Sequence, residues 1–102
     1  MSEYTILKVY ETDKATNKKV NDLLNHEGIR RDGNLDYTCA MFDENYNVIA
    51  TGSTFGNTLR CMAVSSEHQG EGLMNQIVTH LVEHENSKGN YKLFLYTKTN
   101  SA

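Results

Sequence analysis

The sequence predicts an α/β (α+β) fold, a mixed β-sheet with helices on its faces in the order β-α-β-β-β-α-β. Three observations predict it. Leu59 to Ser65 reads as a strand, passes through a polar connection holding Gly70 and Gly72, and leads into a helix with two apolar rows, Leu73/Ile77/Leu81 and Met74/Val78/Val82. Beyond that helix, Tyr91 to Thr97 is a further apolar strand, and two strands joined by a helix of this length lie parallel with a right-handed crossover. Upstream, the β-prone runs Leu35 to Phe42 and Val48 to Thr54 are separated only by the polar stretch from Asp43 to Asn47, which makes them an antiparallel hairpin.

The remaining elements follow in order. Tyr4 to Tyr10 alternates well enough for a first strand, with Ile6 and Val9 among its β-branched members. Asp13 or Thr12 caps a helix from Lys14 to Glu27 that stops at Gly28 and has a thin apolar side, Ala15, Val20, Leu23 and Leu24. Arg30 to Asn34 is loop chemistry, with Asp32-Gly33 as its turn signal. Gly52 and Gly56 loosen the chain before the strand at Leu59, and Lys88-Gly89-Asn90 closes the long helix, whose Asn75, Gln76, Thr79, His80 and Glu83 face away from the core.

Composition bounds the function. At 102 residues the chain is at most one domain, with 38% hydrophobic and 23% charged residues, the balance of a globular protein. A formal net charge of −3 offers no basic footprint for nucleic acid. No apolar run reaches membrane-spanning length, and the N-terminus lacks a signal-peptide layout, so a cytoplasmic location is expected. Cys39 and Cys61 fall inside strand-like runs and read as buried free thiols, not as a disulfide or metal pair. Proline is absent, and the sequence stops soon after an apolar strand without a closing element; an excised fragment is the expectation.

The strand, glycine turn and helix start from Leu59 to Leu73 form a physical device. The first N–H groups of a helix lack partners within it and lie at the positive end of its dipole, so an anion can sit there, and glycine removes the Cβ that would hold it off. A competing signature is His80-x-x-Glu83-His84, a zinc-protease pattern with two histidines on one helix face. It lacks a third ligand in the sequence, and a solvated polar face accounts for the same residues, so no metal is expected. Tyr91, Phe94 and Tyr96 read as sheet packing.

Cys61-Met62-Ala63-Val64 followed by Gln69-Gly70-Glu71-Gly72-Leu73 resembles the acetyl-CoA-binding motif of the GNAT acyltransferase superfamily, Gln/Arg-x-x-Gly-x-Gly/Ala after a strand. Gln69 and Gly72 match its first two fixed positions, and Met74 stands where glycine or alanine is usual. A narrower likeness covers LDYTCAMFDENYNVIATGSTFGNTLRCMAV, HQGEGLMNQIVTHL and LFLYTK, which together look like the N-terminal domain of citrate lyase ligase. Residues 1–102 would then be a single GNAT-like domain, the N-terminal part of a longer enzyme.

The resemblance implies a ligand and a layout. Acetyl-CoA, CoA or a phosphopantetheine-type thiol would lie with its pantetheine arm along Met62, Ala63 and Val64, and its pyrophosphate over Gln69, Gly70, Glu71, Gly72, Leu73 and Met74. A strand amide near the thioester would polarise its carbonyl, a role that typically matters by about 2.7–4 kcal/mol in enzymes. Glu71 brings a negative charge to that loop; at about 6 Å through water the repulsion stays under roughly 1 kcal/mol, comparable to one helix-end contact. Glu67, His68 and Tyr96 are the candidate acid–base groups, with nothing in their spacing to single one out. In the longer family members a second domain carries ATP chemistry, and the implied partner is the citrate lyase acyl carrier subunit. The alternatives are a free-standing small N-acetyltransferase and a non-catalytic docking module; a sheet edge left unpaired would favour a homodimer.

Overall fold

A computed structural model describes residues 4–95. The chain runs β1 (Thr5–Lys8), α1 (Lys14–His26), β2 (Tyr37–Phe42), β3 (Val48–Phe55), β4 (Thr58–Val64), a 3-10 turn (Ser66–His68), α2 (Leu73–Ser87) and β5 (Phe94–Leu95). The sheet order is β1-β2-β3-β4-β5: β1 to β4 are antiparallel, and β5 pairs parallel to the start of β4, Thr58 with Phe94 and Leu59 with Leu95.

Strand alternation builds two cores. Ala40, Phe42, Cys61 and Ala63 meet Val20, Leu23 and Leu24 of α1, while Cys39, Met41, Met62 and Val64 meet Leu73, Ile77 and Leu81 of α2. The helix rows read from sequence therefore do cover the sheet, with Ile77 and Leu81 fully buried. Asp13 is the cap of α1, accepting from the Thr16 amide at 3.1 Å and its hydroxyl at 2.7 Å. Ala15 is exposed and takes no part in the apolar side of α1.

The structure revises several local expectations. Gly52 does not loosen the chain: it lies within β3, at the register slip with β4, and a Cβ there would lie 2.6 Å from Ile77, 2.8 Å from Met62 and 3.0 Å from Leu81. The close approach of α2 to the sheet requires glycine at this point. β1 stops at Lys8 because the chain turns at Glu11-Thr12, although the Val9 amide still reaches the Thr38 carbonyl at 2.8 Å. Leu35 and Asp36 lie outside β2, where the Asp36 carboxylate accepts from the Gly56 amide at 2.7 Å and fastens the β3–β4 turn. Among the described residues of the expected last strand, only Phe94 and Leu95 pair; Tyr91 to Leu93 lie outside β5, with Tyr91 exposed instead of packed on the sheet. The part beyond Leu95 falls outside the described residues.

A bulge in β4 sets up its second half. Cys61 has φ of 54°, and the register with β3 slips between Thr51/Ala63 and Ser53/Arg60. Leu59 consequently shares the α2 side with Met62 and Val64, while Cys61 turns to the α1 side with Ala63. The Cys61 thiol is buried there, accepting from the Asp32 amide at 3.4 Å. Both cysteines are free and buried.

Candidate functional site

The site grows from the end of β4. Val64 pairs with Ala50 between the Ala63–Thr51 pair and the Ser65 amide, which donates to the Ile49 carbonyl at 2.8 Å. In an antiparallel ladder the groups of alternate residues face opposite edges, so the Val64 N–H and carbonyl face away from β3. The Val64 carbonyl accepts from Gln69 Nε2 at 3.3 Å, so Gln69 braces the loop back onto the strand. Ser65 caps the 3-10 turn, its hydroxyl accepting from the Glu67 amide at 3.4 Å.

Gly70 and Gly72 then adopt left-handed φ values of 91° and 76°. A Cβ at either would meet nothing, so backbone conformation, not crowding, selects glycine here. α2 starts at Leu73 with Gly72 as its cap and no side chain bonded to the first amides among the described residues. Beside this helix start lies a depression of about 80 Å³ whose lining includes Val64, His68, Gln69, Gly70, Gly72 and Met74. Met74 is half-buried and packs against the α2-side core, so its bulk is divided between core and rim.

Glu71 is the one acid between the two glycines, and it is engaged. The Tyr4 hydroxyl donates to Oε1 at 3.1 Å, and His68 Nδ1 lies 3.2 Å from Oε2. Tyr4 also meets the His68 ring edge-on, with centroids 5.8 Å apart at 90°. Of the candidate acid–base groups, His68 is thus tied to Glu71, Glu67 is exposed, and Tyr96 lies outside the described residues. Arg60 is held at the other end of β4 by Asp32 at 3.0 Å and lies over the Phe55 ring at 5.1 Å.

His80 and His84 share the face their spacing implies, but His80 does not face freely outward. Both meet Tyr37: its hydroxyl is 2.8 Å from His80 Nε2, and its ring stacks on His84 with centroids 3.7 Å apart. Burial lowers the His84 pKa. Sequence reasoning missed Tyr4 and Tyr37 as partners of these groups. The His68/Glu71 pair has a visible three-residue spacing, whereas Tyr4 is 64 residues from His68 and carries no local signal.

No family model matches the chain. Citrate lyase ligase of Escherichia coli K12 is 32% identical over 91 residues, covering 84% of this chain and 25% of that protein. The Haemophilus influenzae citrate lyase ligase is 24% identical over 87 residues, covering 85% and 26%. The chain thus spans about a quarter of the length of these relatives. Among solved structures, glucosamine-6-phosphate N-acetyltransferase from Arabidopsis thaliana superposes with a TM-score of 0.69 at 21% identity, over 94% of this chain and 83% of that one. A GNAT-family N-acetyltransferase from Escherichia coli in complex with CoA gives a TM-score of 0.63 at 18% identity, over 87% and 59%. Among the described residues no helix is long and apolar enough to cross a membrane. The chain thus has the fold shared by these acetyltransferase structures, and its sequence resembles the citrate lyase ligases.

Proposed function

We propose that this domain binds acetyl-CoA, CoA or a phosphopantetheine-type thiol, and that within a citrate-lyase-ligase-type protein it serves acetylation of the citrate lyase acyl carrier. The observation that carries the reading is the end of β4: two left-handed glycines lead into an α2 N-terminus without a side-chain cap. A diphosphate is held there by backbone N–H groups of Gly70 to Met74 and by the helix dipole. The pantetheine amides pair with Met62 to Val64, where the Val64 groups already face away from β3. An outward strand amide beside the thioester carbonyl then stabilises the oxyanion as the acceptor attacks and the thiolate leaves. ATP chemistry, by the resemblance, belongs to a different domain.

A docking-module reading has one observation in its favour. Met74 lines a depression of only about 80 Å³, which is small for a diphosphate. Calorimetric titration with acetyl-CoA and with dephospho-CoA, on the parent protein and on Met74→Ala, separates the two. Saturable binding by both proteins supports the thioester site. Binding only after Met74→Ala shows a pocket closed to CoA and favours the docking reading. No binding by either protein removes the CoA assignment.

A further inference from the structure

We propose that Tyr4 and His68 are positioning residues that draw the Glu71 carboxylate out of the anion position, so that the loop accepts a diphosphate although it carries an acid. This rests on the CoA-type reading above and adds how the loop's charge is managed. Glu71 lies between Gly70 and Gly72, next to the amides that start α2, and a carboxylate there is itself a ligand for those amides. Left to its rotamers it competes with a phosphate directly and repels it at range.

The geometry removes both oxygens from that competition. Oε1 accepts the Tyr4 hydroxyl at 3.1 Å and Oε2 lies 3.2 Å from His68 Nδ1. An ionised carboxylate only accepts, so Nδ1 carries the proton. The edge-on Tyr4 ring, together with a 3.4 Å contact between its hydroxyl and Nδ1, sets the imidazole orientation. Tyr4 is anchored in turn: it immediately precedes β1 and packs against the α2-side core. Asp43, in the β2–β3 turn, is held below the ordinary carboxylate range, chiefly by the hydrogen bond from the Asn47 amide. Its own oxygens are occupied by the Asn45 and Asn47 amides at 2.9 Å and by Asn47 Nδ2 at 3.1 Å, so it does not replace Glu71.

The test is a double-mutant cycle on the dissociation constant of acetyl-CoA, read by calorimetry, with inorganic pyrophosphate as a second probe. Glu71→Gln removes the charge and tightens binding by about 3-fold at low salt. Tyr4→Phe releases the carboxylate and weakens binding by about 3-fold, and His68→Gln acts in the same direction. In the Glu71→Gln background, Tyr4→Phe changes the constant by less than about 1.5-fold, because no charge is left to position. Equal weakening by Tyr4→Phe in both backgrounds marks a merely structural role and overturns the proposal, as does an unchanged constant in the parent background. If acetyl-CoA does not bind but pyrophosphate binds with this same pattern, the positioning role stands and the CoA reading falls. If neither probe binds any of the five proteins, both fall.

Discussion

The Glu27 carboxylate accepts the Ser66 amide at 3.1 Å and the Ser66 hydroxyl at 2.8 and 2.9 Å, joining the end of α1 to the turn that leaves β4. The Glu27 side chain is only 7% exposed, while its partner Ser66 lies at the surface. The contact fixes the path of Ser65 to His68, and with it the position from which the glycine loop departs. Replacing Glu27 by alanine leaves the Ser66 amide without this acceptor and removes a charge-assisted contact, at a cost of about 2 kcal/mol. Ser66→Ala loses only the hydroxyl and costs about 1 kcal/mol. Urea unfolding of the two variants checks the order; equal midpoints, or a larger loss for Ser66→Ala, would remove Glu27 as the anchor.

Gly52→Ala tests the seam between α2 and the sheet. The added methyl meets Ile77, Met62 and Leu81 together, so no single rotamer change relieves it, and overpacking costs about 1–3 kcal/mol. Met62→Ala makes room on one side. The double variant is therefore expected to lose less than the sum of the two single losses, measured by thermal or urea unfolding. Strict additivity would mean that Met62 is not what the methyl strikes.

How far the sequence carried the fold can be seen at single residues. The row Leu73/Ile77/Leu81, the Asp13 cap and the β2–β3 hairpin were legible because each is a local pattern with a fixed period or spacing. Gly70 and Gly72 were legible as a device because the strand before them and the helix after them are both local. Gly52 was misread because a glycine that breaks a strand and one that admits a helix look alike until the helix is placed. The apolar row of α2 continues into Glu85, which is 2% exposed. Its carboxylate is satisfied by Asn90 Nδ2 at 3.0 Å and the Thr54 hydroxyl at 3.4 Å, contacts that no amphipathic pattern contains. The Tyr4–Glu71 and Glu27–Ser66 contacts join residues 67 and 39 positions apart, so only the assembled sheet brings them together.

The two thiols give the domain a defined alkaline weakness. Burial pushes the Cys39 thiol from 9.0 up to about 12, and burial raises Cys61 as well. Above pH 9 the unfolded chain loses these protons while the folded chain keeps them, so stability falls as pH rises towards 12. For Cys39 the slope approaches about 1.4 kcal/mol per pH unit. Urea midpoints from pH 8 to 11 for the parent and for Cys39→Ala read this as a difference in slope, which is independent of any constant loss from the smaller side chain. Parallel curves would show that the Cys39 thiol ionises equally in both states. Thiol labelling gives a second reading, since neither cysteine should react with an aromatic disulfide before unfolding.

On the acidic side the corresponding group is His84. Burial against Tyr37 is the largest influence and lowers its pKa below 6.5, opposed by the neighbouring Glu85 carboxylate. The folded protein therefore holds His84 neutral at a pH where the unfolded chain has begun to protonate it. The stability this contributes is fully present above 6.5 and is lost as pH falls through the folded value. Tyr37→Leu removes the ring at 3.7 Å and should return the His84 imidazole titration towards the ordinary histidine range, followed by nitrogen-15 NMR. Tyr37→Phe keeps the stack but loses the 2.8 Å contact with His80 Nε2, so it should leave the His84 midpoint in place and move the His80 ring signals instead. A His84 midpoint unchanged in Tyr37→Leu would separate the histidine from the tyrosine. His84 would then owe its low proton affinity to Lys88, His80 and Lys8, which act on it in the same direction as burial.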